Sequence, residues 1–468
     1  MFSFVVLLSI LASCAGKPAR HPLSVEVPDR FSSSGDSPLS AKWWEDFEDP
    51  ALGRLIEQAL SNNFSLKSAW ARLSQSEAIL QKDGATRFPN LELQGSASRT
   101  KTRGPAGTLN TGQQSRSFKR FFLGLTTSYE LDLWGRISSI QDAAELDLKA
   151  SHEALQAAAI TLTSEVALTW FRLKEAYGQL ELLNKQLATN EQVLELVTFR
   201  FRRGQVGATD VLQQRQLIES NQGDIASARS GAKVLEHQLA VLLGRPPTTP
   251  VSEPPRHMPS IPPLPRLGVP LAVIQRRPDI RSAYYSLLAA DRRVAVAISN
   301  RFPRISLSAQ INTSGSSARD LFDNWLTTLA ANLTGPVIDG GNRRAEVART
   351  QAVVSEKLND YRQILLEALV EAENALVQEQ QQQALLESLK KQLALSRQVL
   401  RQTRDNYRQG AADYLRILDV LLTQQALERS LLQARREALV FRVNLYRAIG
   451  GGWDMTGPAL LPPNEDDF

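Results

Sequence analysis

The sequence predicts a mainly α-helical chain that also carries a transmembrane β-barrel part and is built from two tandem structural repeats. Three observations predict this fold class: a duplicated sequence, long proline-free stretches with heptad leucines, and segments that alternate apolar and polar residues. With 468 residues, 43% apolar and 22% charged, the composition excludes a disordered chain or an all-helical membrane bundle. We expect long antiparallel coiled-coil helices that form an α-barrel, and four barrel strands per chain.

The duplication appears as two blocks that match at constant offsets. The segment 87–89, Arg-Phe-Pro, recurs 214 positions later at 301–303. Segment 183–188 recurs 206 positions later at 389–394, and three glycine pairs keep that second offset: Gly135 and Gly341, Gly204 and Gly410, Gly244 and Gly450. Since the offset falls from 214 to 206, the first copy holds 8 extra residues, which we place in a surface loop within 99–117.

Each copy is predicted to contain a helix before its strand pair, at about 64–85 and 278–300, then one long helix and one returning helix. The stretches 135–203 and 341–409 contain no proline and are rich in strong helix formers. In the first of them leucine recurs every seven residues from Leu173 to Leu194, which predicts packing against another helix with a left-handed supercoil. After a glycine-containing turn, the stretches 208–243 and 413–449 return, so each copy forms an antiparallel helical hairpin.

The strand pairs are predicted at 88–133 and 302–338. In the first pair Leu91 and Leu93 face one way, whereas Glu92 and Gln94 face the other. Such alternation over about ten residues is typical of a membrane barrel, but a half-buried strand of a soluble sandwich gives the same pattern. Because four strands cannot enclose water and lipid does not tolerate an open sheet edge, several copies must pool their strands.

The N-terminus contains the only cysteine of the chain. Cys14 follows an apolar stretch, 2–12, that is too short to span a bilayer. Segment 11–14 resembles a bacterial lipobox, which implies a lipoprotein signal peptide at 1–13 and covalent lipid on Cys14. An ordinary signal peptide with an incidental cysteine is the alternative. We expect no other cofactor and no metal.

These patterns divide the chain into six segments. They are the signal peptide at 1–13, a lipid-anchored tether with a further N-terminal segment at 14–62, the first repeat at 63–244, a proline-rich linker at 245–277, the second repeat at 278–450 and a C-terminal tail at 451–468.

The sequence does not support an enzyme or a nucleic-acid-binding protein. The four histidines are scattered, and His152-Glu153 is followed by Gln156 where a zinc protease helix would need histidine. There is neither a phosphate-binding loop nor a nucleophile elbow. The net charge of +5 is not gathered into a basic stripe. A non-channel structural coiled coil or adaptor lipoprotein is the alternative from another functional class.

Several segments carry a resemblance to a known family: the lipobox-like Cys14, Trp43–Leu52, the two Arg-Phe-Pro strand starts, Asp132–Gly135, Gln275–Arg281, Val337–Gly341, Tyr407–Gly410 and Tyr414–Asp419. By these segments, in this order, the chain resembles the TolC-like outer membrane factor family of tripartite efflux systems, and more closely its lipoprotein branch. The resemblance implies a homotrimer with a twelve-stranded barrel in the cell outer membrane and a helical tunnel in the periplasm.

The resemblance also implies a function. The trimer would be the lipid-anchored exit duct of an RND-type efflux system. It would passively conduct substrates from a periplasmic adaptor and an inner-membrane RND transporter to the exterior. The outer membrane channel of a type I secretion system is the alternative within the same class.

Two sets of residues follow from the hairpin turns. The first set is predicted to dock on the adaptor and comprises Gly204, Gln205, Gly207, Gly410 and Ala411. The second set is implied by the resemblance as a periplasmic gate and comprises Leu415, Asp419, Tyr407 and Asp413. Leu415 and Asp419 lie four residues apart and therefore share a helix face. The alternative is that these two side chains only pack between helices.

Overall fold

The computed structural model describes residues 28–38, 40, 42–103, 115–248, 257–267 and 269–451. The predicted signal peptide, Cys14, the tail beyond 451 and most of the inserted loop lie outside the described residues.

Two short elements precede the first copy: a 3-10 helix, Trp43–Phe47, and α1 (Pro50–Asn62). The first copy contains α2 (Phe64–Ala85), β1 (Asn90–Arg103), β2 (Ser115–Leu131), α3 (Arg136–Arg202) and α4 (Ala208–Leu242). The short helix α5 (Pro270–Arg276) precedes the second copy, which contains α6 (Pro278–Ser299), β3 (Arg304–Gly315), a 3-10 turn (Arg319–Phe322), β4 (Trp325–Thr334), α7 (Asn342–Arg408) and α8 (Tyr414–Ala448).

The duplication is confirmed in the lengths of the helices and in their ends. Helices α3 and α7 each have 67 residues, and α4 and α8 each have 35. The glycines that end α3 and α7, Gly204 and Gly410, have φ of +68° and +79°. Glycine adopts this left-handed conformation without the steric cost of a Cβ atom, so the same residue ends the helix in both copies.

The described residues form two compact units. The first unit contains residues 73–151 and 282–361, and therefore the whole β-sheet. Its helical part includes a small core in which Leu287 and Ala290 of α6 pack with Val354 of α7.

The second unit contains residues 28–72, 152–281 and 362–451 of the described chain. Its aromatic core is built around the Trp-Trp-Glu-Asp-Phe segment: Trp43 stacks on Tyr446 at 5.5 Å and Phe47 packs against Phe171 at 5.1 Å between ring centroids. Asp49 caps α1 and also accepts a hydrogen bond from the indole of Trp170 at 2.8 Å. The segment before α1 is therefore part of a folded core.

The ten prolines between Pro246 and Pro270 predict a linker without helix, but the residues that follow form the short helix α5, which begins at Pro270. Proline is compatible with the first turn of a helix because the amide that it lacks has no partner there. Earlier in the linker, Pro265 pairs in parallel with Ser37, and the Arg266 amide donates to the Ser37 carbonyl at 2.7 Å.

Candidate functional site

The sheet has the strand order β1-β2-β3-β4 with every pair antiparallel. Its register places side chains of like polarity in common rows across the strands. The apolar rows include Leu93, Leu125, Ile311 and Thr327; Tyr129, Leu307 and Ala331; and Leu131, Ile305 and Leu333. The intervening rows include Glu92, Thr126, Gln310 and Thr328; and Glu130, Ser306 and Asn332. Since neighbouring rows project to opposite sides, the sheet has one apolar and one polar face.

The apolar face is not covered by the described residues of the chain. Leu93 is 70% exposed, Leu329 83% and Leu333 71%. A contiguous exposed apolar face of this kind needs a partner or lipid. Aromatic pairs lie beside the strand ends: Trp134 stacks on Phe302 at 4.8 Å, and Phe322 lies 6.3 Å from Trp325. Apolar bands flanked by aromatic residues are typical of outer-membrane strands.

Within the described chain, each of the two outer strands of the sheet has one hydrogen-bonded edge and one open edge. In the described chain β1 pairs only with β2, and β4 pairs only with β3. Open edges expose a row of backbone donors and acceptors, which lipid cannot satisfy. The sheet therefore requires strands from elsewhere before it can stand in a bilayer.

Both helical hairpins turn through the same hydrogen-bonded motif. The amide of Gln205 donates to the Arg200 carbonyl at 3.0 Å, and the amide of Ala411 donates to the Asn406 carbonyl at 2.8 Å. These bonds close the helix ends around the left-handed glycines. The next helix starts differently in the two copies, because Asp413 accepts from the Arg416 amide at 2.9 Å while Gly207 has no side chain to do so.

An apolar cluster, here called the tip cluster, joins the two hairpins just behind their turns. It consists of Val197, Val211, Tyr407, Tyr414 and Ile417. The guanidinium of Arg200 lies 4.2 Å from the centre of the Tyr407 ring. Cation–π contact of this type adds to the apolar packing.

A chain of buried polar side chains, here called the tip ladder, continues from the cluster. The Tyr414 hydroxyl donates to Gln214 Oε1 at 2.8 Å, and Gln214 Nε2 donates to the Asn190 carbonyl at 2.7 Å. Gln425 Nε2 then donates to Asn190 Oδ1 at 2.9 Å. Burial raises the pKa of Tyr414 to about 12, so the hydroxyl remains a donor throughout the physiological range.

The structure separates the four predicted gate residues into two groups. Leu415 is 56% exposed, and Asp413 and Asp419 are also exposed. Neither Leu415 nor Asp419 is covered by the described residues of this single chain. Tyr407 is only 1% exposed and belongs to the tip cluster, so it does not share the exposed face. The predicted docking residues Gln205 and Ala411 are both exposed.

Sequence reasoning missed the tip ladder. Asn190 is fully buried and lies midway between the buried residues Leu183 and Val197, at spacings of seven. That spacing could have been read as a heptad with a polar residue at a core position, which in coiled coils specifies register. The leucines used for the prediction, Leu180 and Leu187, are only half-buried.

The described residues contain no group of histidine, cysteine, aspartate and glutamate side chains that could hold a metal ion. Within that part of the chain there is also no helix with the length and apolar character needed to cross a membrane.

A family model described as outer membrane efflux protein matches residues 55–245 and 269–451. The chain is 31% identical over 465 residues to the pyoverdine export outer membrane protein OpmQ of Pseudomonas aeruginosa, with 96% of each covered. It is 28% identical over 466 residues to the cation efflux system protein CusC of Escherichia coli, with 97% of this chain and 98% of CusC covered. The solved outer-membrane channel OprN superposes with a TM-score of 0.85 at 28% identity, over 93% of this chain and 99% of OprN.

Proposed function

The chain belongs to the outer membrane efflux protein family and is an outer membrane efflux channel, and from this premise we propose that three copies assemble into one exit duct. Each chain contributes the four strands of its open sheet, so three chains close a twelve-stranded barrel. The observation that carries the proposal is the register, which gives the sheet an apolar face for lipid and a polar face for a water-filled lumen.

The detergent-purified protein is expected to be a trimer by light scattering and to give discrete conductance steps in a planar bilayer. Two neighbouring substitutions in β4 test the assignment of the faces. Leu329→Arg puts a charge in lipid and should cost about 2–4 kcal/mol of barrel stability near the midplane. Thr328→Arg, in a polar row, should leave the trimer intact. A stable folded monomer, or equal damage by both variants, would contradict the proposal.

The duct is proposed to work within a tripartite pump, with a periplasmic adaptor and an inner-membrane RND transporter. The membership of the family supports this assignment. Two relatives are named for different cargo, pyoverdine for OpmQ and cations for CusC. That difference supports a passive duct whose cargo is selected upstream by the transporter.

The adaptor is proposed to bind the hairpin turns at Gly204–Gly207 and Gly410–Asp413. Both turns are exposed and are held in the same shape by their left-handed glycines. Photo-cross-linking probes placed at Gln205 or Ala411 should therefore capture the adaptor in cells. Probes at Thr100, on the sheet hairpin, serve as the control. Capture from Thr100 alone would reverse the orientation that we propose.

The mature chain is proposed to be anchored in the outer membrane by lipid on Cys14. This thiol is the only one in the sequence and follows a short apolar stretch of signal-peptide length. The covalent lipid is the only non-protein group in the proposal, because passive conduction needs no cofactor. Mass spectrometry of the mature N-terminus should show Cys14 as the first residue and acylated, and an unmodified thiol would contradict the anchor.

A further inference from the structure

We propose that the β1–β2 hairpin binds the phosphate-bearing headgroups of the outer leaflet through Arg99, Lys101 and Lys119. The inference rests on the proposed function, because it requires the apolar face of the sheet to lie in lipid. We call these three side chains the cation row.

The register places the cation row directly beyond the apolar band. Along β1, Arg99 and Lys101 lie six and eight positions after Leu93. Because side chains alternate along a strand, all three project from the apolar face. Arg99 pairs with Lys119, and the previous pair on the same face is Ala97 with Phe121. The apolar face therefore changes from Ala97 and Phe121 to two cations between one pair of this face and the next.

The position of that change matches the edge of the hydrocarbon. On β2 the apolar face runs from Leu131 to Phe121, a span of 11 residues in the register. A tilted barrel strand needs about 9–11 residues to cross the apolar part of a bilayer. Helix α2 precedes β1 and helix α3 follows β2, so both helices adjoin the end of the strand pair that is far from the β1–β2 turn. At the end near the turn, Lys119 is therefore the first residue of the apolar face of β2 to reach the headgroups.

Within the sequence of the β1–β2 hairpin every charged residue of the outer part is positive. From Leu93 to Tyr129 the sequence contains no aspartate or glutamate. All three members of the row are exposed, and Arg99 Nε donates to Ser117 Oγ at 3.0 Å, which orients its guanidinium along the strand pair. Guanidinium groups bind phosphate through two parallel hydrogen bonds, and the ammonium groups of lysine bind it as point charges.

The second hairpin provides an internal contrast. Its turn contains Arg319 together with Asp320 and Asp323, and Asp320 is held by the Ser317 amide at 2.9 Å. Of the two strand hairpins in each chain, only the β1–β2 hairpin therefore has an excess of positive charge. A trimer would carry three cation rows. A lipid with clustered phosphates fits this arrangement better than a zwitterionic lipid does.

The test uses the full-length trimer in detergent and measures bound lipid by native mass spectrometry. The probes are diphosphorylated lipid A, its dephosphorylated form and inorganic phosphate. Lys119→Gln and Arg120→Gln form a matched pair, since these neighbours project from opposite faces and Arg120 pairs with Ser98 in a polar row. Each cation near an anionic lipid surface contributes a factor of roughly five in affinity.

Lys119→Gln should weaken the binding of diphosphorylated lipid A by roughly fivefold. Replacing all three members of the cation row by glutamine should weaken it on the order of 100-fold. Arg120→Gln should leave binding unchanged. Equal weakening by Lys119→Gln and Arg120→Gln, undiminished binding of the dephosphorylated lipid, or a response of inorganic phosphate alone would each overturn the inference. If the triple variant does not assemble, the matched single variants decide. Loss of conductance in the unsubstituted trimer would instead reject the proposed function.

Discussion

Replacing Arg442 by methionine is expected to lower the free energy of unfolding by about 3–5 kcal/mol. Arg442 is 1% exposed and binds both carboxylate oxygens of buried Glu379, with Nε 2.9 Å from Oε2. Its Nη1 also donates to the carbonyls of Pro262 and Pro263 in the linker. Without the guanidinium, the buried Glu379 carboxylate would keep only a 3.5 Å hydrogen bond from Gln383, and the carbonyl of buried Pro262 would lose its donor.

Chemical unfolding of the detergent-solubilised protein, followed by tryptophan fluorescence, measures this effect. The buried Trp43 stacks on Tyr446, four residues from Arg442, and provides a local signal. The double variant Glu379→Gln with Arg442→Met should recover part of the loss, because no unpaired charge remains buried. Arg436→Met, which breaks the half-buried pair with Glu175, is the control and should cost clearly less, because both side chains of that pair keep 19% of their surface in solvent. Equal losses at positions 442 and 436 would refute the argument.

The combined substitution Leu415→Ala with Asp419→Ala is expected to raise single-channel conductance severalfold and to weaken the preference for cations. In a trimer Leu415 would form an apolar collar and Asp419 a ring of three carboxylates. Apolar collars restrict water, whereas acidic rings attract cations and repel anions. Both side chains are exposed in the single chain, which leaves them available to line the lumen.

Planar-bilayer recordings with a salt gradient separate the two contributions. Leu415→Ala alone should raise conductance, and Asp419→Asn alone should mainly reduce cation selectivity. The matched control is Thr209→Ala with Gln213→Ala, at the equivalent places of the first copy. If the control changes the currents as much as the gate variant does, the restriction does not belong to the second copy. Unchanged conductance and selectivity in the gate variant would exclude the gate.

The sequence predicted the helices and sheet faces well because both follow from local rules. The paired glycines set the ends of α3 and α7 within one residue, and period-two alternation assigned Leu93 and Glu92 to opposite faces. Spacing along the helix predicted that Leu415 and Asp419 share a face, but it did not predict what that face contacts. For the same reason it did not show that Tyr407, one turn before the hairpin, is buried in the tip cluster.

Other features had no local signal at all. Arg442 and Glu379 lie 63 positions apart on different helices, and only the packing of α7 with α8 brings them together. Asn190, Gln214 and Gln425 look like ordinary polar residues of solvated helices. Their burial depends on contacts between the first and second copies, which no pattern within one helix can reveal.

The tip ladder has a consequence for the history of the duplication. Its members are matched at the equivalent positions of the other copy by residues that cannot make the same bonds: Ser396 for Asn190, Val420 for Gln214 and Ala208 for Tyr414. At this ladder the two halves carry complementary residues and are not interchangeable. A chimera with two first halves would place Ala208 where Tyr414 now donates to Gln214 Oε1, so that buried oxygen would lose its donor.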